Sequence, residues 1–160
     1  MTLSVGTGAP LFTLKQKTEK GLQDISLADT LGKKNILLLF FPFAFTGVCT
    51  EELCSVTQGL DGYESLDAAV YAISVDSPFA QEAWAKQNGI KVPLLSDFNK
   101  KVCSAYYAMY EDFLGFQGVA KRAAFVINKE GTISYAWAAE DPKQVPDFQA
   151  IESHLEELIA

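Results

Sequence analysis

The sequence predicts an α/β fold in which a central mixed sheet is flanked by helices and preceded by a β-hairpin. Two continuous apolar runs of strand length, residues 35–41 and 69–75, have the composition of strands buried on both faces. A segment with helical periodicity follows each run, and alternating β and α units place helices on both faces of one sheet. A chain of 160 residues can bury a sizeable core, so we expect one domain spanning residues 1–160.

Local patterns define the elements in chain order. Short alternating runs on either side of a polar turn at residues 17–21 predict the N-terminal hairpin. The first buried strand leads into a helix over residues 47–66, with apolar side chains at three- and four-residue spacings. The next helix begins at Ser77-Pro78 and ends before Gly89. The later elements are a strand at 92–95, a helix at 100–107, a hairpin of strands at 123–128 and 132–138, and an amphipathic helix at 148–159.

A thioredoxin-like fold satisfies this order of elements. The alternative is a flavodoxin-like sheet, which binds a phosphate group on a glycine-rich turn after a strand. No such turn follows any predicted strand here, and residues 74–78 contain no glycine. The order therefore favours the thioredoxin-like fold.

Composition restricts the function classes. Hydrophobic residues make up 49% of the chain and charged residues 21%, as in an ordinary soluble globular protein. No apolar run approaches the roughly 20 residues of a membrane span, and the first residues lack the features of a signal peptide, so we expect a cytoplasmic protein. The net charge of −7, without a basic block, disfavours nucleic acid and anionic membranes as partners. Small uncharged substrates and protein partners fit better.

The three cysteines are Cys49, Cys54 and Cys103. An odd number in a chain expected to be cytoplasmic disfavours a structural disulfide framework. Their spacing, with His154 as the single histidine, matches no usual zinc site, so no metal or other cofactor is expected. The alternative is that all three are buried small hydrophobes, which suits Cys103 better than Cys49.

Cys49 lies in the first turn of a helix that follows a buried strand. Unpaired backbone N–H groups and the helix dipole favour an anion there, and the thiolate is the nucleophilic form of cysteine. Thr46 can place its hydroxyl near the sulfur, and Pro42 fixes the backbone leaving the strand. The pattern favours a reactive thiol, and the alternative is an N-cap threonine followed by a core cysteine.

These residues resemble a known active-site signature. The motif Pro42-x-x-x-Thr46-x-x-Cys49 is similar to that of the peroxiredoxins, thiol peroxidases with a thioredoxin-like fold. The resemblance covers nearly the whole chain and is nearest to the AhpE-like and bacterioferritin-comigratory (PrxQ-like) groups. The other matching stretches are residues 8–14, 37–45, 72–79, 93–97 and 121–127, together with Trp84.

The resemblance implies reduction of hydrogen peroxide or an organic hydroperoxide, in antioxidant defence and redox homeostasis. Cys49 would be the peroxidatic thiolate and form a sulfenic acid. Arg122, the Thr46 hydroxyl and the backbone N–H groups of residues 48 and 49 would stabilise the charge in the transition state. Glu52 could orient Arg122, and the alternative is an exposed glutamate favoured near a helix N-terminus. Its neighbour Glu51 is expected to face solvent.

Cys54 has the spacing of the resolving cysteine in PrxQ-like relatives. Five residues of helix rise about 7.5 Å and turn about 140°, which exceeds the reach of a disulfide. A Cys49–Cys54 bond would therefore require the first turns of the helix to unwind. Otherwise an external thiol would attack the sulfenic acid, and Cys103 is a second candidate for resolution.

Partners follow from the same resemblance. The expected reductant is a thioredoxin- or glutaredoxin-like protein. The outer members of the aromatic run at residues 40–45 could line the substrate entrance or a homodimer contact. Two other classes remain open. A redox sensor would be oxidised at Cys49 with little turnover, whereas a thioredoxin-like disulfide oxidoreductase would require Cys-x-x-Cys, and residue 52 is glutamate.

Overall fold

The computed structural model describes residues 3–160, so residues 1 and 2 of the predicted domain lie outside the described residues. Its main sheet has seven strands in the order β2-β1-β5-β4-β3-β8-β9. The strands are β1 (Thr13–Thr18), β2 (Gly21–Ser26), β3 (Asn35–Phe40), β4 (Ala68–Ser74), β5 (Leu94–Ser96), β8 (Ala123–Ile127) and β9 (Ile133–Ala138). The three central strands β3, β4 and β5 are parallel, and the outer pairings are antiparallel. This is the predicted mixed sheet with its N-terminal hairpin.

Strand β3 is buried along its whole length, which explains its continuous apolar sequence. Side chains alternate between the two faces of a strand. Leu37 and Leu39 accordingly pack into one hydrophobic core, whereas Ile36, Leu38 and Phe40 pack into the other. A polar residue at any of these positions would be buried on one face or the other.

Helices cover both faces of the sheet. They are α1 (Gly47–Gln58), α2 (Leu60–Ser65), α3 (Pro78–Asn88), α4 (Lys101–Ala105) and α5 (Phe148–Ile159). Buried side chains of α1, α2, α3 and α5 contribute to the core with Leu37 and Leu39, and those of α4 contribute to the core with Leu38. The helices thus form an outer layer on each side of the sheet.

The structure corrects some predicted limits. The single helix predicted over residues 47–66 is divided at Gly59, a residue with low helix propensity. The helix predicted over residues 100–107 ends at Ala105, and Tyr107 has a left-handed backbone with φ of 52°. A small ribbon of β6 (Met109–Tyr110) and β7 (Val119–Ala120) was not predicted, because two-residue strands leave no periodic pattern.

Two features are absent from the part of the chain that the structure describes. None of the helices within residues 3–160 has the length and apolar character needed to cross a membrane. The same residues include no cluster of three histidine, cysteine or acidic side chains that could hold a metal ion.

Candidate active site

A six-residue loop, residues 41–46, carries the chain from the end of β3 to the start of α1. The Phe41 N–H donates to the Ile73 carbonyl at 3.0 Å, and the buried Pro42 that follows has no N–H to place. The Ala44 N–H donates to the Asp76 carboxylate at 2.8 Å. Phe45 then takes a left-handed backbone conformation with φ of 64°, which turns the chain into the helix.

Cys49 is the third residue of α1, and its side chain is 1% exposed. The first intrahelical hydrogen bond runs from the Thr50 N–H to the Thr46 carbonyl at 2.9 Å. The N–H groups of residues 47–49 therefore precede the hydrogen-bonded ladder of the helix. They and the helix dipole favour a negative charge at the sulfur, as predicted from the sequence.

Arg122, which lies between β7 and β8, uses three donors to organise the site. Its Nη2 donates to Cys49 Sγ at 3.1 Å, and its Nη1 donates to Glu52 Oε1 at 2.7 Å. Its Nε donates to the Pro142 carbonyl at 2.8 Å. The guanidinium is 2% exposed, so water screens its charge little. The fold thus brings a fixed positive charge against a sulfur 73 residues away in sequence.

Glu52 lies one helical turn after Cys49 and points to the same side of α1. Its side chain is fully buried, so the alternative of an exposed glutamate is wrong, while Glu51 is exposed as predicted. Burial raises the pKa of Glu52 to about 7, although the charge of Arg122 and its hydrogen bond oppose this rise. The second carboxyl oxygen, Oε2, is buried without a hydrogen-bond partner.

Thr46 is exposed. The sequence suggested that its hydroxyl could lie near the sulfur, but in the structure the hydroxyl does not bond the sulfur. The Thr46 Oγ1 donates instead to the Phe43 carbonyl at 2.8 Å, within the loop. It makes no side-chain capping bond to α1, although Thr46 has the N-cap position and an extended backbone. Its lone pairs stay available to accept a hydrogen bond from a ligand at the helix N-terminus.

Cys54 faces α3 and not Arg122. Its thiol contacts the Asn88 carbonyl at 3.6 Å, on the side of α1 that also carries Thr50. The Thr50 Oγ1 accepts a hydrogen bond from Trp84 Nε1 at 3.0 Å and donates to the Thr46 carbonyl at 2.6 Å. The two cysteines of α1 are free thiols that bond to different neighbours, as the helical geometry requires.

Cys103 is fully buried beneath the other face of the sheet, which confirms its predicted packing role. Burial raises the pKa of the Cys103 thiol to about 12, and the nearby Asp97 carboxylate contributes to the rise. The Asp97 side chain also accepts the Cys103 backbone N–H at 2.7 Å. The raised pKa and the burial both disfavour the nucleophilic thiolate form of Cys103 at neutral pH.

Comparison with known proteins establishes the family. Residues 5–136 match the model of the AhpC/TSA family. The chain is 40% identical to alkyl hydroperoxide reductase E of Mycobacterium tuberculosis over 147 residues, 91% of each protein. The chain belongs to the AhpC/TSA family of peroxiredoxins. A second relative of this peroxiredoxin is the chloroplastic 2-cysteine peroxiredoxin of Chattonella marina var. antiqua, 36% identical over 143 residues, 85% of this chain and 71% of the relative.

Solved structures agree with the thioredoxin-like fold. The reduced 2-Cys peroxiredoxin of Plasmodium vivax superposes with a TM-score of 0.85 and 27% identity, covering 95% of this chain and 80% of that one. AhpC of Mycobacterium tuberculosis gives a TM-score of 0.84 at 24% identity, covering 99% of this chain and 94% of that one. Membership of the AhpC/TSA family makes the protein a thiol-dependent peroxidase.

Sequence reasoning missed several contacts that shape the site. The Pro142 carbonyl that accepts from Arg122 carries no sequence signal, because any residue could supply it. Asp76 falls within a stretch that matches the family, but its contact with Ala44 depends on how β3 and β4 end side by side. The Trp84–Thr50 bond similarly requires α3 to pack on α1.

Proposed function

We propose that this peroxiredoxin reduces hydrogen peroxide and organic hydroperoxides through a sulfenic acid on Cys49. The observation that carries the proposal is the buried guanidinium of Arg122, which donates to Cys49 Sγ at 3.1 Å and to Glu52 Oε1 at 2.7 Å. Such a fork places a permanent positive charge where a thiolate and a peroxide would share negative charge. The thiolate is also the nucleophile that peroxide reduction requires.

The first step oxidises sulfur by two electrons. The Cys49 thiolate attacks one peroxide oxygen, so an S–O bond forms while the O–O bond breaks. The other oxygen leaves as hydroxide or alkoxide, takes up a proton and departs as water or an alcohol. Cys49 is left as a sulfenic acid.

Three groups would stabilise this transition state. Arg122 would donate to the sulfur and to the oxygen under attack. The backbone N–H groups of residues 48 and 49 would donate to developing negative charge at the helix N-terminus. The Thr46 hydroxyl, already donating to the Phe43 carbonyl, would accept the peroxide O–H and orient it. Pro42 would contribute by fixing the start of the loop without a competing N–H group.

Glu52 would act as the orienter of Arg122. A bond of 2.7 Å between two buried side chains fixes the direction of the guanidinium plane. A neutral Glu52 would leave the Arg122 charge to the thiolate, and an ionised one would compete for it. Because the pKa of Glu52 is raised, the neutral form of Glu52 predominates below about pH 7, and the Arg122 charge then acts on the thiolate.

Cys54 would resolve the sulfenic acid. Its thiolate would attack Cys49 sulfur, forming a disulfide and releasing the sulfenic oxygen as water. Because Cys54 contacts the Asn88 carbonyl on the α3 side, the first turns of α1 would have to unwind beforehand. A thioredoxin- or glutaredoxin-like dithiol in the cytoplasm would then reduce the disulfide to two thiols.

The exposed apolar residues beside the site suggest a homodimer. Phe43 contacts both Phe113 and Phe116 with ring centroids 5.8 Å apart, and Leu114 and Phe116 are 80% and 59% exposed. An apolar cluster this exposed is typical of a protein interface.

Sedimentation analysis tests this interface. Combined replacement of Leu114 and Phe116 by aspartate should raise the dimer dissociation constant by at least about tenfold. Leu22→Asp, at an exposed apolar position on β2, is the matched control. A wild-type protein that sediments as a monomer at micromolar concentration would contradict the dimer.

Turnover separates the peroxidase from a sensor with little turnover. Peroxide consumption should be followed with a thioredoxin system and, separately, with a glutaredoxin system, using Cys49→Ser as the control. No turnover above that control would overturn the peroxidase assignment of Cys49. For the route, mass spectrometry after one equivalent of peroxide should show the loss of two hydrogens in a Cys49–Cys54 peptide. A stable sulfenic acid with free Cys54 would instead indicate the one-cysteine route.

A further inference from the structure

Loop 41–46 is tied to the neighbouring strand at its middle. The Ala44 N–H donates to Asp76 Oδ2 at 2.8 Å, and Asp76 lies two residues after Ser74, the last residue of β4. Ala44 itself is buried. One side chain from another element therefore determines where the centre of the loop lies.

Asp76 is in turn fixed by a buried polar network. The Ser74 hydroxyl donates to the same Oδ2 at 2.7 Å and accepts from Gln81 Nε2 at 2.9 Å. Gln81, on α3, also donates to the Leu95 carbonyl at 2.9 Å, and the Ser96 hydroxyl donates to the Asp76 carbonyl at 2.6 Å. Ser74 and Gln81 are 0% and 1% exposed. Such a network holds the carboxylate in one orientation, because the buried Ser74 and Gln81 side chains have no water with which to exchange their hydrogen bonds.

The loop stores backbone strain immediately after the point where Asp76 holds it. Phe45, the residue after Ala44, has φ of 64°, a region that costs free energy for any residue except glycine. Thr46 follows, and α1 with Cys49 begins at the next residue. If Ala44 were released, Phe45 could relax to an ordinary conformation and would displace Thr46 and the first turn of α1.

We propose that Asp76 is a positioning residue for peroxide reduction. Its carboxylate holds Ala44, and thereby keeps loop 41–46 in the conformation that presents Thr46 and the N-terminus of α1 to the peroxide. The inference rests on the proposed function of Cys49. A displacement of about 1 Å in a reacting geometry can cost on the order of a hundredfold in rate.

Two reactions of the same sulfur test the proposal. Alkylation by iodoacetamide requires only the thiolate, whereas peroxide reduction also requires the surrounding donors to be in place. We therefore compare the second-order rate constant for hydrogen peroxide with that for iodoacetamide. The ratio should fall about 30-fold in Asp76→Ala, within the range expected for a misplaced catalytic group. A residue that only supports folding would leave the ratio unchanged.

Two control variants accompany Asp76→Ala. Asp76→Asn keeps an oxygen that can accept the Ala44 N–H, so its ratio should stay within about threefold of wild type. Asn128→Ala removes a side-chain oxygen that accepts the backbone N–H groups of Glu130 and Thr132 in the turn between β8 and β9, outside the network of Asp76, so its ratio should equal that of wild type. If Asp76→Ala does not fold, Ser74→Ala frees the carboxylate to turn and should lower the ratio about threefold.

The outcomes are distinct. A ratio in Asp76→Ala within twofold of wild type, or an equal loss in Asn128→Ala, overturns the positioning role while leaving the peroxidase intact. For Ser74→Ala as the substitute variant, an unchanged ratio has the same meaning. A wild-type protein that reacts with peroxide no faster than Cys49→Ser overturns the proposed function, and the role of Asp76 with it.

Discussion

Replacing Arg122 by methionine removes the charge that contacts the sulfur while keeping a side chain of similar length. The structure predicts the loss of one charge-assisted hydrogen bond to Cys49 Sγ, now 3.1 Å long. Such a bond contributes about 1.5–3 kcal/mol, and about 1.4 kcal/mol corresponds to tenfold in rate. Cys49 oxidation should therefore slow by about one to two orders of magnitude.

The same substitution leaves Glu52 buried without its partner. Removing one member of a buried ion pair typically costs about 3–5 kcal/mol of stability. The double variant Arg122→Met with Glu52→Gln should recover most of this loss, because glutamine carries no charge to bury. The rate of Cys49 oxidation should remain low in the double variant, since the donor to the sulfur is still missing.

Rapid-quench mass spectrometry of the sulfenic acid measures the rate, and chemical denaturation measures the stability. Arg122→Lys is the matched control for charge, because one ammonium cannot reproduce the fork to Cys49 and Glu52. We expect its rate to lie between those of wild type and the methionine variant. A rate in Arg122→Met equal to that of wild type would remove Arg122 from the catalytic set.

Three further predictions concern single side chains. The pKa of Glu52, about 7 in the fold against 4.5 for the free side chain, means that the folded state retains this proton as pH rises between these values. The free energy of unfolding of the wild type should therefore fall as pH rises over this interval. In denaturation experiments, Glu52→Gln should gain about 3 kcal/mol of stability relative to wild type between pH 4 and pH 8. A stability difference between the two proteins that does not change with pH would contradict the buried carboxyl. Thr50→Val removes the acceptor of Trp84 Nε1 and thereby eases the unwinding of α1. Disulfide formation after one equivalent of peroxide, measured in quenched samples, should therefore accelerate about fivefold. A slower reaction would refute this prediction. Because the pKa of Cys103 is raised to about 12, iodoacetamide should leave it unlabelled at pH 8 in the native protein and label it after unfolding, and rapid native labelling would contradict its burial.

Local sequence patterns were sufficient to predict most of the fold. The apolar run that forms β3 and the apolar spacing of α5 record burial directly, because each face of a strand or helix repeats with a fixed period. Gly59 shows the limit, since helical spacing continued across a residue at which the helix divides. The ribbon of β6 and β7 is held by tertiary contacts and has too few residues for any period.

Within the site, the sequence predicted that Glu51 faces solvent but left Glu52 open between an orienter of Arg122 and an exposed side chain. Glu51 and Glu52 have the same chemistry and differ by about 100° around α1. In the structure, Glu52 is buried beside Arg122 and its pKa is raised by that burial, whereas Glu51 remains exposed. The orientation of the Thr46 hydroxyl was likewise outside the reach of sequence, because the loop carbonyl of Phe43 competes for it.

The sequence by itself determined the order of strands and helices, the thiol at a helix N-terminus and, through the resemblance, the arginine expected beside it. These properties are local or are carried by short motifs. The tertiary structure alone decided that Arg122 bonds both Cys49 and Glu52, that Cys54 faces α3, and that Asp76 holds loop 41–46. Each of these contacts joins a side chain to a group in another element or loop, so it exists only once the sheet has brought them together.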